Sequence, residues 1–137
     1  MSLDIWNRVH VRVGKSFSLH VRGEGTDILS KGTDNLVYLS MARLFDEAGV
    51  TPPGLHISCT NAIPLGRGLG SSAAAVVGGL VAANALCGNL ISHDRLLELA
   101  TEIENHPDNV GPALLGGCRV VVQDGQHIVA ARVPVPR

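Results

Sequence analysis

The first part of the chain alternates apolar and polar residues with a period of two. Apolar residues recur at nearly every second position over residues 5–13, and the alternation resumes over residues 17–21. This period is typical of half-buried strands. Because Gly14 and Lys15 separate the two runs, the pattern predicts a β-hairpin with a glycine-led two-residue turn.

Two later segments have the 3.6-residue period of amphipathic helices. The first covers residues 34–48, where Asp34 is placed to cap the amino end and Gly49 to stop the helix. The second covers residues 93–105, with Ser92 as its cap. Each segment has one apolar face, so each helix is expected to pack on a core along one side.

A third helix, predicted over residues 71–86, shows no polar face. A helix of small and apolar residues must be buried on most sides. Gly78 and Gly79 each cost about 1 kcal/mol against alanine in a helix interior. Close packing against a neighbouring element is the expected reason for both glycines.

The remaining segments complete an α+β domain. Alternation over residues 55–60 predicts a strand directly before a glycine-rich segment. Residues 106–117 predict a loop and a short helix, and residues 118–133 predict a closing hairpin about Asp124 and Gly125. This order of elements indicates helices packed against one face of a sheet.

Composition fits one globular domain whose partner is a small molecule. The 137 residues are 45% hydrophobic and 17% charged, and the formal net charge is −1. No basic block indicates nucleic acid or an anionic membrane as a partner. Three widely spaced cysteines favour neither a disulfide framework nor a metal site, so a cytoplasmic location is expected. No apolar run reaches the roughly 18 residues of a membrane span.

The stretch IPLGRGLGSSAAAVVGGL, residues 63–80, raises the functional question. A glycine-rich turn that leads into a helix leaves backbone N–H groups unpaired, and the helix dipole favours negative charge there. Such a turn suits a phosphate. Ser71 and Ser72 add hydroxyl groups for phosphate or for a phosphate-bound Mg²⁺. The alternative is a tight turn whose glycines only allow a steep reversal from strand to helix.

Two common phosphate-binding motifs do not fit this stretch. A P-loop has lysine directly before its serine or threonine, whereas Gly70 precedes Ser71. The dinucleotide pattern G-x-G-x-x-G matches at Gly66 and Gly68 but fails at Ser71, and Pro64 lies in the segment that leads in. The stretch is therefore neither a Walker A loop nor a clean Rossmann turn.

The pattern P-x-x-x-G-L-G-S-S-A-A, from Pro64 to Ala74, resembles the ATP-phosphate loop of the GHMP kinases, which phosphorylate small alcohols and acids. Within that superfamily, NHPDNVGPALLGG (residues 105–117) is similar to a signature of the homoserine kinases. LDIWNRV and DNLVY also resemble the amino-terminal half of that family. Asn105 and Gly111 depart from the usual glycine and alanine of the signature. The resemblance covers essentially the whole chain.

The resemblance implies a fold and a domain. The fold is α+β, a ribosomal protein S5 domain 2-like sheet with helices on one face, and residues 1–137 form part of a GHMP kinase amino-terminal, ATP-binding domain. Members of the family begin with a further strand and continue into a carboxyl-terminal GHMP domain that is absent here. The chain is therefore expected to be truncated at both ends and inactive alone.

The resemblance also implies an ATP and Mg²⁺ site at the glycine-rich loop. Asn35 would contact adenine, although asparagine there also suits a helix cap. Ser72 and Glu98 would bind Mg²⁺. Glu102 or Glu104 could replace Glu98, and any glutamate on such a helix also suits a solvated face. The residues implied to bind ATP are Asn35, Pro64, Gly66, Arg67, Gly68, Leu69, Gly70, Ser71, Ser72 and Ala73.

The implied substrate is L-homoserine, which His106 and Asn109 would bind. Asp108 would shape the site, and it is implied in catalysis together with Ser72. Without the flanking signature, HPDN would be an ordinary turn. The implied reaction transfers the γ-phosphoryl group of ATP to the homoserine hydroxyl, on the route to threonine, and the enzyme is expected to be a homodimer. The loose transition state of phosphoryl transfer requires positioning and charge neutralisation more than a strong protein base.

Three other interpretations stay open. Another GHMP kinase, acting on mevalonate or a sugar, would keep the phosphate loop but lack the HPDN signature. A non-catalytic binding module could share the S5-like fold, but the absence of a basic block counts against it. A nonfunctional remnant is supported by the missing motifs and opposed by the intact phosphate loop.

Overall fold

The computed structural model describes residues 1–135, so the last two residues of the predicted 1–137 domain lie outside the described part. Helices and strands are mixed along the chain, which confirms the predicted α+β class. Within residues 1–135, no helix is long and apolar enough to cross a membrane. In chain order the elements are β1 (Arg8–Gly14), β2 (Ser18–Gly23), α1 (Leu36–Glu47), β3 (Gly54–Asn61), α2 (Ser71–Leu86), α3 (His93–Glu104), α4 (Val110–Leu115), β4 (Cys118–Asp124) and β5 (His127–Val133).

The first two strands do not form the predicted hairpin. β3 lies between them, in the order β1-β3-β2, and it pairs antiparallel with β1 and parallel with β2. The prediction was wrong because alternation identifies a strand and its buried face but not its partner. β3 takes the central place with three apolar side chains, Leu55, Ile57 and Cys59, that are each at most 2% exposed.

The two faces of this three-stranded sheet differ in chemistry. Inward side chains such as Leu19, Val21 and Ile57 join one core with the helices. The outward positions form cross-strand rows without an acidic residue, so the fold assembles a basic surface that no block of sequence reveals. These positions are Arg8, His10 and Arg12 in β1, Ser18, His20 and Arg22 in β2, and His56, Ser58 and Thr60 in β3.

Helix α2 packs closely against both a helix and a strand. A Cβ atom on Gly79 would lie 2.5 Å from the carbonyl oxygen of Val37 in α1. A Cβ atom on Gly78 would lie 2.9 Å from the side chain of Val9 in β1. Both distances are shorter than real Cβ contacts, so close packing is confirmed as the reason for the two glycines.

One side of α2 remains exposed. Val81 is 43% exposed and Leu86 is 40% exposed. Most of the helix is buried or half-buried, which agrees with the prediction of burial on most sides. The sequence does not show which face of α2 is buried, because apolar residues occur all round the helix.

The caps of the other long helices are one asparagine and one serine. The amide oxygen of Asn35 accepts a hydrogen bond from the N–H of Val37 at 2.9 Å, so Asn35 caps α1. The predicted cap, Asp34, is wrong because the helix begins one residue later than expected. Ser92 caps α3 as predicted, since its hydroxyl accepts a backbone N–H of the first turn.

The last two strands form the predicted closing hairpin. β4 and β5 pair antiparallel as a separate two-stranded sheet. Asp124 pairs with His127, so the turn consists of Gly125 and Gln126 and lies one residue later than predicted. Gly125 has a φ of 60°, a left-handed value that glycine adopts at no steric cost.

Ion pairs join α1 to α3. The guanidinium Nε of Arg95 lies 2.7 Å from one carboxylate oxygen of Glu47, and Arg43 lies 2.9 Å from the other oxygen. Arg95 also pairs with Glu98 and Glu102 on its own helix. Hydrogen bonds from Arg95 and then from Arg43 lower the pKa of Glu47 to about 2.

Gly79→Ala is expected to destabilise the fold, although alanine favours an ordinary helix interior by about 1 kcal/mol. The added methyl group would meet a main-chain oxygen of α1, and overpacking of this kind costs about 1–3 kcal/mol. Urea unfolding followed by circular dichroism should show a lower midpoint. Val81→Ala, on the exposed side of the same helix, is the control and should leave the midpoint nearly unchanged. A midpoint raised by Gly79→Ala would contradict the close packing.

Glu47→Gln is expected to lower stability at neutral pH and to have no effect near pH 2. A carboxyl group whose folded pKa of about 2 lies below its ordinary value of 4.5 stabilises the fold above pH 4.5, and this contribution is lost as the pH falls toward 2. The expected loss at neutral pH is roughly 1 kcal/mol, because the pair is partly exposed.

Urea unfolding of both proteins at the two pH values measures the difference. Glu24→Gln is the control, because Glu24 is exposed and has no ion-pair partner among the described residues. A difference between Glu47→Gln and the parent that stays constant from neutral pH to pH 2 would count against the ion-pair explanation.

Candidate functional site

The glycine-rich loop covers residues 62–70, between the end of β3 and the start of α2. Gly66, Gly68 and Gly70 have φ values of 65°, 70° and 77°, in the left-handed region that favours glycine. A Cβ atom on Gly66 or Gly68 would have no atom within 4 Å. The loop therefore uses glycine for its backbone conformation, and its outer side is open to a ligand.

The start of α2 offers unpaired backbone N–H groups. Gly70 precedes the helix without a side-chain cap, whereas Asn35 and Ser92 cap α1 and α3. Within residues 1–135, the N–H groups of residues 68–73 donate to no other protein group. These donors lie at the positive end of the helix dipole, an arrangement that binds phosphates and other anions.

A cavity of about 550 Å³, here called the loop cavity, opens beside this loop. Cys59 lies in its lining and is buried, which raises the pKa of the thiol and keeps it protonated. The predicted site residues that the loop cavity brings together are Asn35, Pro64, Gly66, Arg67, Gly68, Leu69, Gly70, Ser71, Ser72, His106 and Asn109. Ala73 is buried in α2 and does not line the cavity.

Asn35 lies in the wall of the loop cavity and is 7% exposed. Besides capping α1, its side-chain N–H donates to the carbonyl oxygen of Ser30 at 2.7 Å. Both polar ends of the amide therefore bind protein, and the residue holds residues 30–35 against the start of α1. This geometry is that of a helix cap, the alternative role considered for Asn35. Its contact with adenine stays a prediction.

Ser72 and Glu104 place two side-chain oxygens in the lining of the loop cavity. The hydroxyl of Ser72, in the first turn of α2, donates to a carboxylate oxygen of Glu104 at the end of α3. In the described part of the chain, no group of three or more His, Cys, Asp and Glu side chains could hold a metal ion. A pair of protein oxygens beside a phosphate site nevertheless fits Mg²⁺, which completes its shell with phosphate and water.

Glu98 does not meet Ser72. Its carboxylate accepts a hydrogen bond from Arg95 at 2.9 Å and lines a separate shallow cavity with residues of β4 and β5. Glu98 and Glu104 are six residues apart in α3, which puts them on different faces of the helix. The structure thus brings Glu104, one of the alternatives, to Ser72. The third glutamate, Glu102, pairs with Arg43 and Arg95 instead.

The HPDN turn lies between α3 and α4 and touches the end of the glycine-rich loop. His106 and Asn109 line the loop cavity. A Cβ atom on Gly70 would lie 3.4 Å from the side chain of Asn109, so the turn packs directly beside the start of α2. Asp108 is exposed and does not line the loop cavity.

A second cavity of about 500 Å³ lies across the end of the loop from the first. The amino-terminal residues, including Leu3 and Trp6, form one side of it, and α4 forms the other. Leu69, Gly70 and Asn109 line both cavities. A molecule in the second cavity would therefore lie next to whatever binds at the start of α2.

Asn7 is a residue of the site that sequence reasoning missed. Its amide oxygen accepts hydrogen bonds from the N–H groups of Ala62 at 2.9 Å and Ile63 at 3.0 Å. In the first alternating run Asn7 is the polar residue at an apolar position, between Ile5 and Val9. That break in the alternation is the signal that could have revealed it.

Residues 35–117 match the family described as GHMP kinases N terminal domain. The matched segment is more than half of the chain, and it contains the glycine-rich loop, Ser72, Glu104 and the HPDN turn. The chain belongs to the GHMP kinase family. The glycine-rich loop and the start of α2, with its unpaired N–H groups, therefore belong to a GHMP kinase amino-terminal domain.

Curated relatives of this GHMP kinase chain are named homoserine kinase. The homoserine kinase of Carboxydothermus hydrogenoformans is 47% identical over 137 residues, covering 99% of this chain and 45% of the relative. That of Thermosynechococcus vestitus is 45% identical over 123 residues, covering 90% of this chain and 41% of the relative. The chain thus spans less than half the length of the curated relatives it matches.

Solved GHMP kinase structures have the same fold. A homoserine kinase from Cytophaga hutchinsonii is 33% identical with a TM-score of 0.77, covering 95% of this chain and 44% of that one. A mevalonate kinase has a TM-score of 0.66 at 13% identity, covering 96% of this chain and 47% of that one. The second likeness shows the fold alone.

Proposed function

We propose that this chain is the ATP-binding part of a homoserine kinase, which transfers the γ-phosphoryl group of ATP to the hydroxyl group of L-homoserine. The observation that carries the proposal is that unpaired N–H groups of residues 68–72 and the oxygens of Ser72 and Glu104 meet at one cavity. The N–H groups suit phosphate oxygens, and the oxygen pair suits Mg²⁺. The relatives named homoserine kinase support the substrate.

The loop residues bind and neutralise phosphate in this proposal. The N–H groups of residues 68–73 donate to phosphate oxygens, and Arg67, exposed in the loop, adds a positive charge beside them. Ser72 and Glu104 hold Mg²⁺. When bound, Mg·ATP supplies the phosphoryl group and a divalent charge. Fixed donors around developing charge are the main source of catalysis in phosphoryl transfer, so a strong base among the described residues is not required.

The apolar part of the loop cavity would receive the adenine base. Val21, Leu29 and Val37 line it together with Asn35. Because both ends of the Asn35 amide bind protein, its main contribution is to hold this wall in place. Its direct contact with adenine remains part of the proposal.

His106 and Asn109 would hold the amino acid substrate beside the phosphate. Asn109 lines both cavities, so a molecule that it binds from the second cavity reaches the start of α2. Asp108, exposed in the same turn, would shape this turn rather than abstract a proton. The homodimer and the cytoplasmic location expected from the sequence stay predictions.

Ser72→Ala and Glu104→Gln are each expected to weaken Mg·ATP binding to the chain by about tenfold, because each removes one oxygen ligand or one charge-assisted interaction. Isothermal titration with Mg·ATP, and with ATP in the presence of a chelator, measures the effect. The loss should be largest when Mg²⁺ is present.

Matched controls for both variants lie elsewhere in the chain. Glu98→Gln changes a glutamate on the same helix that does not meet Ser72, and Ser58→Ala changes a serine on the outward sheet face. Both should bind Mg·ATP as the parent does. A folded parent that binds no Mg·ATP would contradict the proposal and favour a non-catalytic module, for which the basic sheet face is a supporting feature.

A chimera tests the substrate class. The chain replaces the corresponding segment of the Carboxydothermus hydrogenoformans homoserine kinase, to which it is 47% identical. The chimera is expected to release ADP with L-homoserine and not with mevalonate. Asn109→Ala in the chimera should reduce ADP release with L-homoserine by about tenfold or more, because a hydrogen bond to a charged group is lost. Activity with mevalonate alone would show that the chain serves another GHMP kinase.

A further inference from the structure

Asn7 holds the start of the glycine-rich loop through a single atom. The residue lies directly before β1, and its amide oxygen accepts the N–H groups of both Ala62 and Ile63. These are the first two residues after β3. Both lone pairs of that oxygen are used, which makes the contact a two-bond anchor at the point where the chain leaves the sheet.

The same short segment also touches the helix at the other end of the loop. Val9, two residues after Asn7, lies against Gly78 of α2, where a Cβ atom would come within 2.9 Å. Residues 7–9 thus contact both the beginning of the loop and the helix that follows it. Between these two contacts, a Cβ atom on Gly66 or Gly68 would meet no atom within 4 Å, and in the described chain the N–H groups of residues 68–73 have no protein acceptor.

We propose that Asn7 is a positioning residue for the phosphate-binding loop. It acts through the loop backbone, because its amide oxygen accepts two N–H groups at the point where the loop begins. By fixing where the loop leaves β3, it fixes the direction in which the N–H groups of residues 68–73 point. A loop ordered before binding loses less conformational entropy when the ligand arrives. This inference rests on the proposed function, because the ligand is Mg·ATP.

Asn7→Ala removes both hydrogen bonds, and Asn7→Asp keeps the acceptor oxygen. Asn84→Ala is the matched control at the opposite end of α2. The side chain of Asn84 also makes two hydrogen bonds to the backbone, accepting from the N–H of Ile91 at 3.0 Å and donating to its carbonyl oxygen at 2.9 Å. The control therefore loses the same number of bonds without touching the loop.

The first measurement is amide hydrogen exchange of the whole chain without a ligand, with NMR as the readout. The amides of Ala62 and Ile63 should exchange about tenfold or more faster in Asn7→Ala, because each loses its acceptor. In Asn7→Asp and in Asn84→Ala, these two amides should exchange as slowly as in the parent. A merely destabilising change would accelerate exchange throughout the sheet, so protection of β3 amides separates the two effects.

The second measurement is isothermal titration with Mg·ATP at a temperature where all variants are folded. Asn7→Ala should raise the dissociation constant for Mg·ATP about tenfold, because two ordinary hydrogen bonds that order the site are lost. Asn84→Ala should leave this constant unchanged. Asn7→Asp is used only in the exchange experiment, because its added negative charge would repel phosphate.

The outcomes separate this inference from the proposed function. Slow exchange at Ala62 and Ile63 in Asn7→Ala, or unchanged Mg·ATP affinity despite fast exchange, would overturn the positioning role. If the parent chain binds no Mg·ATP, the proposed function fails for this chain. The exchange comparison then still decides whether Asn7 anchors the loop.

Discussion

The close approach of α2 to α1 and β1 is the constraint on which the rest of the structure depends. Gly79 lies against the main chain of α1 and Gly78 against Val9, at distances that no side chain would allow. Because α2 has neither charges nor a side-chain cap, packing along its side is what holds it in place. Its amino end, which follows the glycine-rich loop, has unpaired N–H groups. The packing of α2 thus fixes where these N–H groups lie.

The sequence predicted where most helices and strands lie, but not how the strands pair. Period-two alternation depends only on which side of a strand is buried, and it located β1, β2 and β3 correctly. The partner of a strand depends on the whole core. β3, with three fully buried side chains, is the most buried of the three strands and separates the two strands that are adjacent in sequence. Because β3 is buried between β1 and β2, these two strands do not form the hairpin that their alternation predicts.

The same distinction explains the candidate site. The glycine-rich loop could be predicted because its requirements are local: left-handed glycines, a strand before it and a helix after it. Which glutamate meets Ser72 could not be predicted, because it depends on how α3 is rotated against α2. That rotation is set by the buried leucines of α3 and by the pairing of Arg95 with Glu47, which together turn Glu98 away and Glu104 toward the loop.

The residues of the proposed nucleotide site come from one continuous part of the chain. The unpaired N–H groups, the oxygens of Ser72 and Glu104, and the cavity wall at Asn35 all come from residues 35–104, within one packed core. The second cavity is different, since exposed amino-terminal residues such as Leu3 and Trp6 form one of its sides. The proposed nucleotide site therefore depends on contacts within this core, whereas the second cavity has an exposed apolar wall.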